Sequence, residues 1–101
     1  MSKNVIVRYR TRPEAADENA RLVQAVYAAL AEQQPAGFSY TTYRLADGAT
    51  FVHVARHEDG ANPLPEMPAF AEFQRELKDR CDELPAPSEA TIVGSYAPAA
   101  S

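Results

Sequence analysis

The chain has 101 residues, with 46% apolar and 24% charged side chains, which is typical of one globular domain spanning residues 1–101. A net charge of -4 provides no basic surface for phosphate groups, so nucleic acid and anionic membranes are poor candidate partners. The single cysteine, Cys81, cannot form an internal disulfide, Cys/His pairs at zinc spacing are absent, and no apolar run is long enough for a signal peptide, so we expect a cytoplasmic protein without a metal.

The first predicted elements are a strand and a helix. Residues 4–10 alternate as in a β-strand, with Val5, Val7 and Tyr9 on one face. Pro13 suits the first turn of a helix, which predicts a helix from about residue 13. Apolar residues at spacings of three and four then form one stripe along this helix: Ala16, Ala20, Val23, Val26, Tyr27 and Leu30.

Residues 38–57 give the clearest local pattern, a β-hairpin. Asp47-Gly48 predicts a two-residue type I′ turn, because these residue types tolerate the positive φ angles that this turn requires. The turn places Thr42 opposite His53 and Tyr40 opposite Ala55. Both faces carry large apolar groups, with Phe38, Tyr40 and Phe51 on one face and Tyr43, Leu45, Val52 and Val54 on the other.

The last predicted elements are a second helix and a final strand. The second helix begins near Pro68, and its apolar stripe consists of Phe70, Phe73, Leu77, Cys81 and Leu84. Pro85 and Pro87 follow this stripe and end the helix. Residues 89–96 then read as a strand, and residues 98–101 as a frayed end.

This order predicts an α+β fold, a ferredoxin-like βαββαβ sandwich with a four-stranded antiparallel sheet and two helices on one face. Right-handed crossovers place the first and third strands in the centre of the sheet. One layer of helices cannot cover both apolar faces of the hairpin. We therefore predict a homodimer in which the open sheet face of each copy covers the other.

In element order and pattern, the chain resembles the dimeric α/β-barrel superfamily, and within it the antibiotic biosynthesis monooxygenase-like proteins. The resemblance covers nearly the whole chain: the segment VIVRYRTRPE running into a helix, the hairpin, and PAFAEFQREL ahead of a final strand. It implies that two sheets pair face to face as a barrel. Relatives include cofactor-independent oxygenases of aromatic polyketides and haem-degrading enzymes.

Two departures from these relatives bear on the reaction. Several active members use a tryptophan near the second helix, and this chain has no tryptophan. Haem-degrading members use a histidine on that helix, where this chain has none. The resemblance therefore implies oxygenation without a cofactor rather than haem degradation, and fold alone does not fix function.

His53 is the candidate catalytic residue, because it lies mid-strand and its neutral imidazole can accept a proton near physiological pH. A cofactor-free oxygenase removes a proton from a phenolic substrate, holds the anion and excludes water. Arg44 or Arg8 could hold that anion through charge-assisted hydrogen bonds, and aromatic residues could form the walls of a pocket. The predicted substrate-binding residues are Tyr9, Tyr40, Thr42, Arg44, Phe70 and Phe73.

Each candidate also has a purely structural interpretation. His53 could be hydrogen-bonded to Thr42 or Tyr40 inside the core or the dimer interface, and the aromatic rings could be ordinary core residues. Cys81 fits a small buried hydrophobe, and the charges of residues 78–83 fit a solvated helix surface.

Two functions remain open from the sequence. The first is a dimeric, cofactor-independent monooxygenase or related enzyme that acts on a small aromatic compound. The second is a non-catalytic module of the same fold that binds a small ligand or only dimerises. A cavity beside His53 that is large enough for two fused rings would favour the enzyme.

Overall fold

The computed structural model describes residues 2–97. Its strands and helices are β1 (Ser2–Thr11), α1 (Ala16–Gln33), β2 (Phe38–Arg44), β3 (Thr50–Glu58), α2 (Pro68–Arg75), α3 (Leu77–Arg80) and β4 (Cys81–Ala90). Short 3₁₀ turns precede α1 and α2 at Pro13–Ala15 and Leu64–Glu66. The predicted fraying of residues 98–101 lies outside the described residues. None of the helices in residues 2–97 is both long and apolar enough to span a membrane.

The four strands form one antiparallel sheet in the order β2-β3-β1-β4. The predicted ferredoxin-like fold and the central positions of β1 and β3 are therefore confirmed. The core lies between the sheet and the helices, and its largest fully buried side chains include Tyr9 and Phe51. These two rings stack at a centroid distance of 5.6 Å, which couples the two central strands through their side chains as well as their backbones.

The strand pairing in the hairpin agrees with the predicted register. Thr42 pairs with His53 and Tyr40 pairs with Ala55. The helices cover the face that carries His53, which is 4% exposed. On the opposite, open face Ile6 and Tyr43 are 37% and 55% exposed. The alternation of the strands thus separates a buried face, which carries His53, from an uncovered face with exposed apolar side chains.

The predicted type I′ turn is wrong, although the register is right. The amide of Leu45 donates to the carbonyl of Thr50 (2.8 Å), and the amide of Gly48 donates to the carbonyl of Leu45 (2.9 Å). Of the turn residues only Gly48 has a positive φ, +78°. Asp47 instead uses its carboxylate, which accepts from the amide of Thr50 at 2.8 Å. The aspartate therefore acts as a side-chain acceptor and not as a left-handed residue.

The second predicted helix ends earlier than its apolar stripe indicated. Cys81 and Leu84 lie in β4, and Cys81 pairs with Thr11 of β1. Pro85 disfavours helical backbone angles at Leu84, because its ring collides with the preceding residue. The missing amide of Pro85 is tolerated because β4 is an edge strand.

The predicted final strand at residues 89–96 is wrong beyond Ala90. Ala90 pairs with Asn4, and β1 begins only at Ser2, so the chain runs past the end of its partner strand. Residues 91–97 contain no strand or helix. Val93 and Tyr96 are consequently 100% and 89% exposed.

The turn geometry is tested by one glycine substitution and its match elsewhere in the chain. We expect Gly48→Ala to lower the free energy of unfolding by about 1 kcal/mol, because alanine is strained at positive φ even where space is free. Gly94→Ala, whose added methyl also meets open space without a positive φ, should change it by less than about 0.5 kcal/mol. Urea unfolding measures both, and equal effects would contradict the turn assignment.

Candidate functional site

A cavity of about 240 Å³ lies between the sheet and the α2–α3 segment. Its walls are mainly apolar and come from both layers, including Val7 and Ala55 of the sheet and Leu64, Phe70 and Leu77 of the helical side. An apolar cavity of about 150 Å³ is enough to bind benzene. The larger volume therefore leaves room for a second fused ring.

The polar residues that line the cavity are Tyr9, Tyr40, His53, His57, Asn62 and Gln74, and the first three form one hydrogen-bonded group. The hydroxyl of Tyr9 lies 2.8 Å from Nε2 of His53. Nδ1 of His53 lies 2.8 Å from the hydroxyl of Thr42 and 3.0 Å from that of Tyr40. Both ring nitrogens are thus already hydrogen-bonded, so a ligand exchanges protons with His53 through a neighbouring hydroxyl.

Burial controls the charge of these groups. Desolvation lowers the pKa of His53 from 6.5 to about 4, so the imidazole is neutral at physiological pH. Burial also raises the pKa of Tyr9, with a smaller opposing effect from its hydrogen bond with Asn19. The pKa of Tyr40 is raised by the same cause. The cavity therefore offers two protonated phenols and an uncharged, weakly basic imidazole.

The structure brings some of the predicted site residues together and separates others. Tyr9, Tyr40, Phe70 and Phe73 line the cavity with His53. Thr42 contacts His53 but lines a neighbouring depression beside α1.

The predicted anion-holding arginines do not reach the cavity. Arg44 lines the depression beside α1, where its guanidinium bonds Asp17 at 3.0 Å and lies over the ring of Phe51. Arg8 lies on the open sheet face, opposite Val52. Within residues 2–97, no arginine or lysine lines the cavity.

Two buried polar residues near the site were not predicted. Asn19 of α1 is fully buried and donates from Nδ2 to the hydroxyl of Tyr9 at 2.8 Å. Arg80 of α3 donates from Nε to Oδ1 of Asn19 at 3.1 Å. The interpretation of Arg80 as part of a solvated surface is wrong, because the side chain is only 7% exposed. Both residues lie on the apolar stripe of a helix, since Asn19 comes three residues after Ala16 and Arg80 three residues after Leu77. That spacing was the sequence signal that could have predicted their burial.

Solved structures with the same architecture include Rv0793 from Mycobacterium tuberculosis, with a TM-score of 0.74, 19% identity, and coverage of 96% of this chain and 100% of that one. A putative antibiotic biosynthesis monooxygenase from Bacteroides thetaiotaomicron gives a TM-score of 0.78 at 12% identity, covering 91% of this chain and 90% of that one. SnoaB, a cofactor-independent oxygenase from Streptomyces nogalater, gives 0.68 at 17% identity, covering 93% and 95%.

No protein-family model matches the chain, and no curated protein matches it significantly. The likeness to antibiotic biosynthesis monooxygenase-like proteins is thus confirmed as a likeness of fold. At identities below 20% it shows nothing about the reaction of this chain.

The buried state of His53 predicts an acid-sensitive stability. Because the pKa is lower in the folded protein, the contribution of His53 is complete above pH 6.5 and is lost as the pH falls to about 4. Wild-type protein should therefore lose about 3 kcal/mol more unfolding free energy between pH 7 and pH 4 than His53→Gln. Urea unfolding of both proteins at the two pH values measures this, since acidic residues contribute equally to each. Parallel losses would show that His53 is not held neutral.

Proposed function

We propose that this protein is a dimeric, cofactor-independent oxygenase that acts on a small aromatic compound with an ionisable hydroxyl. The observation that carries the proposal is the mainly apolar cavity of about 240 Å³ that the hydrogen-bonded residues Tyr9, Tyr40 and His53 line together. The shared fold with proteins named as antibiotic biosynthesis monooxygenases, and with one cofactor-independent oxygenase, supports this reaction class. The volume favours a fused bicyclic phenol as the substrate.

In the proposed reaction the phenol loses its proton and the resulting anion reduces molecular oxygen. A naphthol and one O₂ give a naphthoquinone and one water: the ring carbon loses hydrogen and gains one oxygen atom, and the other oxygen atom leaves as water. Apolar walls keep solvent from the anion, and a tyrosine hydroxyl stabilises its oxygen by donating a hydrogen bond.

His53 is the proposed proton acceptor, and the proton reaches it through the hydroxyl of Tyr9, 2.8 Å from Nε2. A pKa of about 4 makes the free imidazole a weak base. A phenolate beside it favours the imidazolium through opposite charge and thus raises the pKa of His53 in the complex. The base is therefore strengthened when the substrate ionises.

A non-catalytic small-ligand-binding module is the second candidate function. The observation that favours it is the occupation of both His53 ring nitrogens by protein hydroxyls. Such a network holds a ligand in place without any need for proton transfer. Turnover separates the two functions, because both predict binding.

The proposed dimer forms through the open sheet face. Ile6, Tyr43 and Leu45 are 37%, 55% and 40% exposed on a single layer that no helix covers. Val93 and Tyr96 add exposed apolar surface just beyond the end of β4. Exposed apolar side chains on an uncovered sheet face are typical of an interface with another chain. A second copy of this sheet, which carries the same exposed apolar side chains, is the proposed partner.

Turnover is tested with 1,5-dihydroxynaphthalene and related naphthols, by oxygen consumption and quinone absorbance. We expect His53→Gln to lower kcat by about 100-fold, as for loss of a general base, and Tyr40→Phe by about 10²-fold, as for loss of a donor to the anion. Tyr96→Phe, the same change at an exposed position, should leave kcat unchanged.

The outcomes assign the function. Wild-type turnover that is insensitive to His53→Gln would remove the catalytic role of that residue. A folded wild type that binds naphthols without oxidising any of them would favour the binding module.

The dimer is tested by light scattering at micromolar concentration. Wild-type protein should have twice the mass of one chain, and Tyr43→Glu should have the mass of one chain, because a buried unpaired carboxylate opposes association. Gln33→Glu introduces the same group at the exposed end of α1 and should remain dimeric. A monomeric wild type would contradict the proposed interface.

A further inference from the structure

We propose that Arg80 and Asn19 are positioning residues that fix the direction of the hydrogen bonds around His53, so that Tyr40 presents its hydroxyl proton to a ligand in the cavity. The proposal rests on the proposed function only for the identity of the ligand. It deepens that function by naming the group recognised: an acceptor oxygen, such as a carbonyl or a phenolate, on a fused aromatic compound.

The direction begins at Arg80, because a guanidinium has only donors. Its Nε lies 3.1 Å from the side chain of Asn19, so the atom of Asn19 that faces it is the amide oxygen. Arg80 is held in place by donation from Nη2 to the carbonyl of Phe73 at 2.6 Å and lies over the ring of Phe73. The amide nitrogen of Asn19 consequently faces the hydroxyl of Tyr9 at 2.8 Å.

The direction continues through Tyr9 to His53. The hydroxyl oxygen of Tyr9 accepts from Asn19, and the hydroxyl proton needs an acceptor of its own because the side chain is only 2% exposed. Among residues 2–97, Nε2 of His53 at 2.8 Å is the acceptor that the structure supplies. Nε2 is therefore unprotonated, and the neutral ring carries its proton on Nδ1.

The protonated Nδ1 donates to the hydroxyl of Thr42, 2.8 Å away. The hydroxyl of Thr42, which accepts from Nδ1, then donates to the hydroxyl of Tyr27 at 2.8 Å. Tyr27 lies near the surface. Every hydrogen bond from Arg80 to Tyr27 then has one donor and one acceptor. Reversal of the bond between Tyr9 and His53 would leave the buried hydroxyl proton of Tyr9 without an acceptor.

With the hydrogen bonds oriented in this way, the hydroxyl proton of Tyr40 remains available to donate to a ligand. The oxygen of this hydroxyl lies 3.0 Å from Nδ1 of His53, where it can act only as the second, more distant acceptor of the proton that Nδ1 donates to Thr42. In the part of the chain that the structure describes, no other group bonds this hydroxyl. Because Tyr40 lines the cavity, its proton is the donor that the hydrogen bonds around His53 present to a ligand oxygen.

The tautomer is tested by long-range ¹H–¹⁵N spectra of histidine-labelled protein at neutral pH. Wild-type protein should show His53 protonated on Nδ1. Asn19→Asp should shift the proton to Nε2, because a carboxylate accepts from both Arg80 and Tyr9 and so reverses the direction. Asn4→Asp, the same change on the open sheet face, should leave the spectrum unchanged.

The wild-type spectrum decides the proposal even if Asn19→Asp does not fold. A wild-type proton on Nε2 would overturn it. A folded Asn19→Asp protein that keeps the proton on Nδ1, in the neutral or the charged ring, would overturn it as well.

The role of Tyr40 is tested with two bicyclic ligands that differ in one oxygen, 1-tetralone and tetralin. Both affinities are measured by calorimetry. In Tyr40→Phe the affinity for 1-tetralone relative to that for tetralin should fall about three- to tenfold, as for the loss of one hydrogen bond. Tyr96→Phe should preserve the ratio. An unchanged ratio in Tyr40→Phe would overturn the assignment of Tyr40 as the donor.

Neither measurement requires turnover. A protein that gives the expected spectra and ligand preference but oxidises no phenol would overturn the oxygenase and leave this inference standing.

Discussion

The side chain of Tyr9 belongs to the core and is 2% exposed, so its hydroxyl is removed from bulk water. A buried hydroxyl must be hydrogen-bonded, or the fold loses the hydration free energy of that group without compensation. Its two partners come from different elements, Asn19 from α1 and His53 from β3. Satisfying one polar atom therefore fixes the position of a helix against the two central strands.

The same desolvation gives the site its chemical character. It disfavours charge on His53, Tyr9 and Tyr40, so that the imidazole stays neutral and these two tyrosines stay protonated. The buried cation Arg80 bonds Asn19 and a backbone carbonyl and does not line the cavity. The cavity thus contains polar groups that can orient a ligand oxygen, surrounded by mainly apolar walls.

Because side chains alternate along each strand, the two faces of the sheet carry different residues and have different surroundings. On β3, His53 points to the helices while its neighbours Val52 and Val54 point to the open face. A change of one residue in register would exchange the cavity groups with the open apolar surface. Because of this separation, we expect mutations at the candidate site and at the proposed dimer interface to act independently.

Local sequence patterns determined the first helix, the hairpin register and the ferredoxin-like order, because each depends on residues close together in the chain. They also identified His53 with Tyr40 and Thr42, since cross-strand neighbours in a hairpin follow from its register. The same patterns failed at the turn, where Asp47 serves as an acceptor, because its residue type is compatible with more than one turn geometry.

Only the tertiary structure decided where α3 ends and β4 begins, because pairing of Cys81 with Thr11 joins residues far apart in sequence and overrides the helical stripe. It also decided that Arg80 is buried, since a charged residue on an apolar stripe is tolerated only when distant groups such as Asn19 accept its hydrogen bonds. The cavity was likewise decided only by the tertiary structure, because its volume depends on how the sheet and the helices pack. Sequence periodicity specifies which face each residue occupies, whereas contacts between layers specify which polar atoms meet.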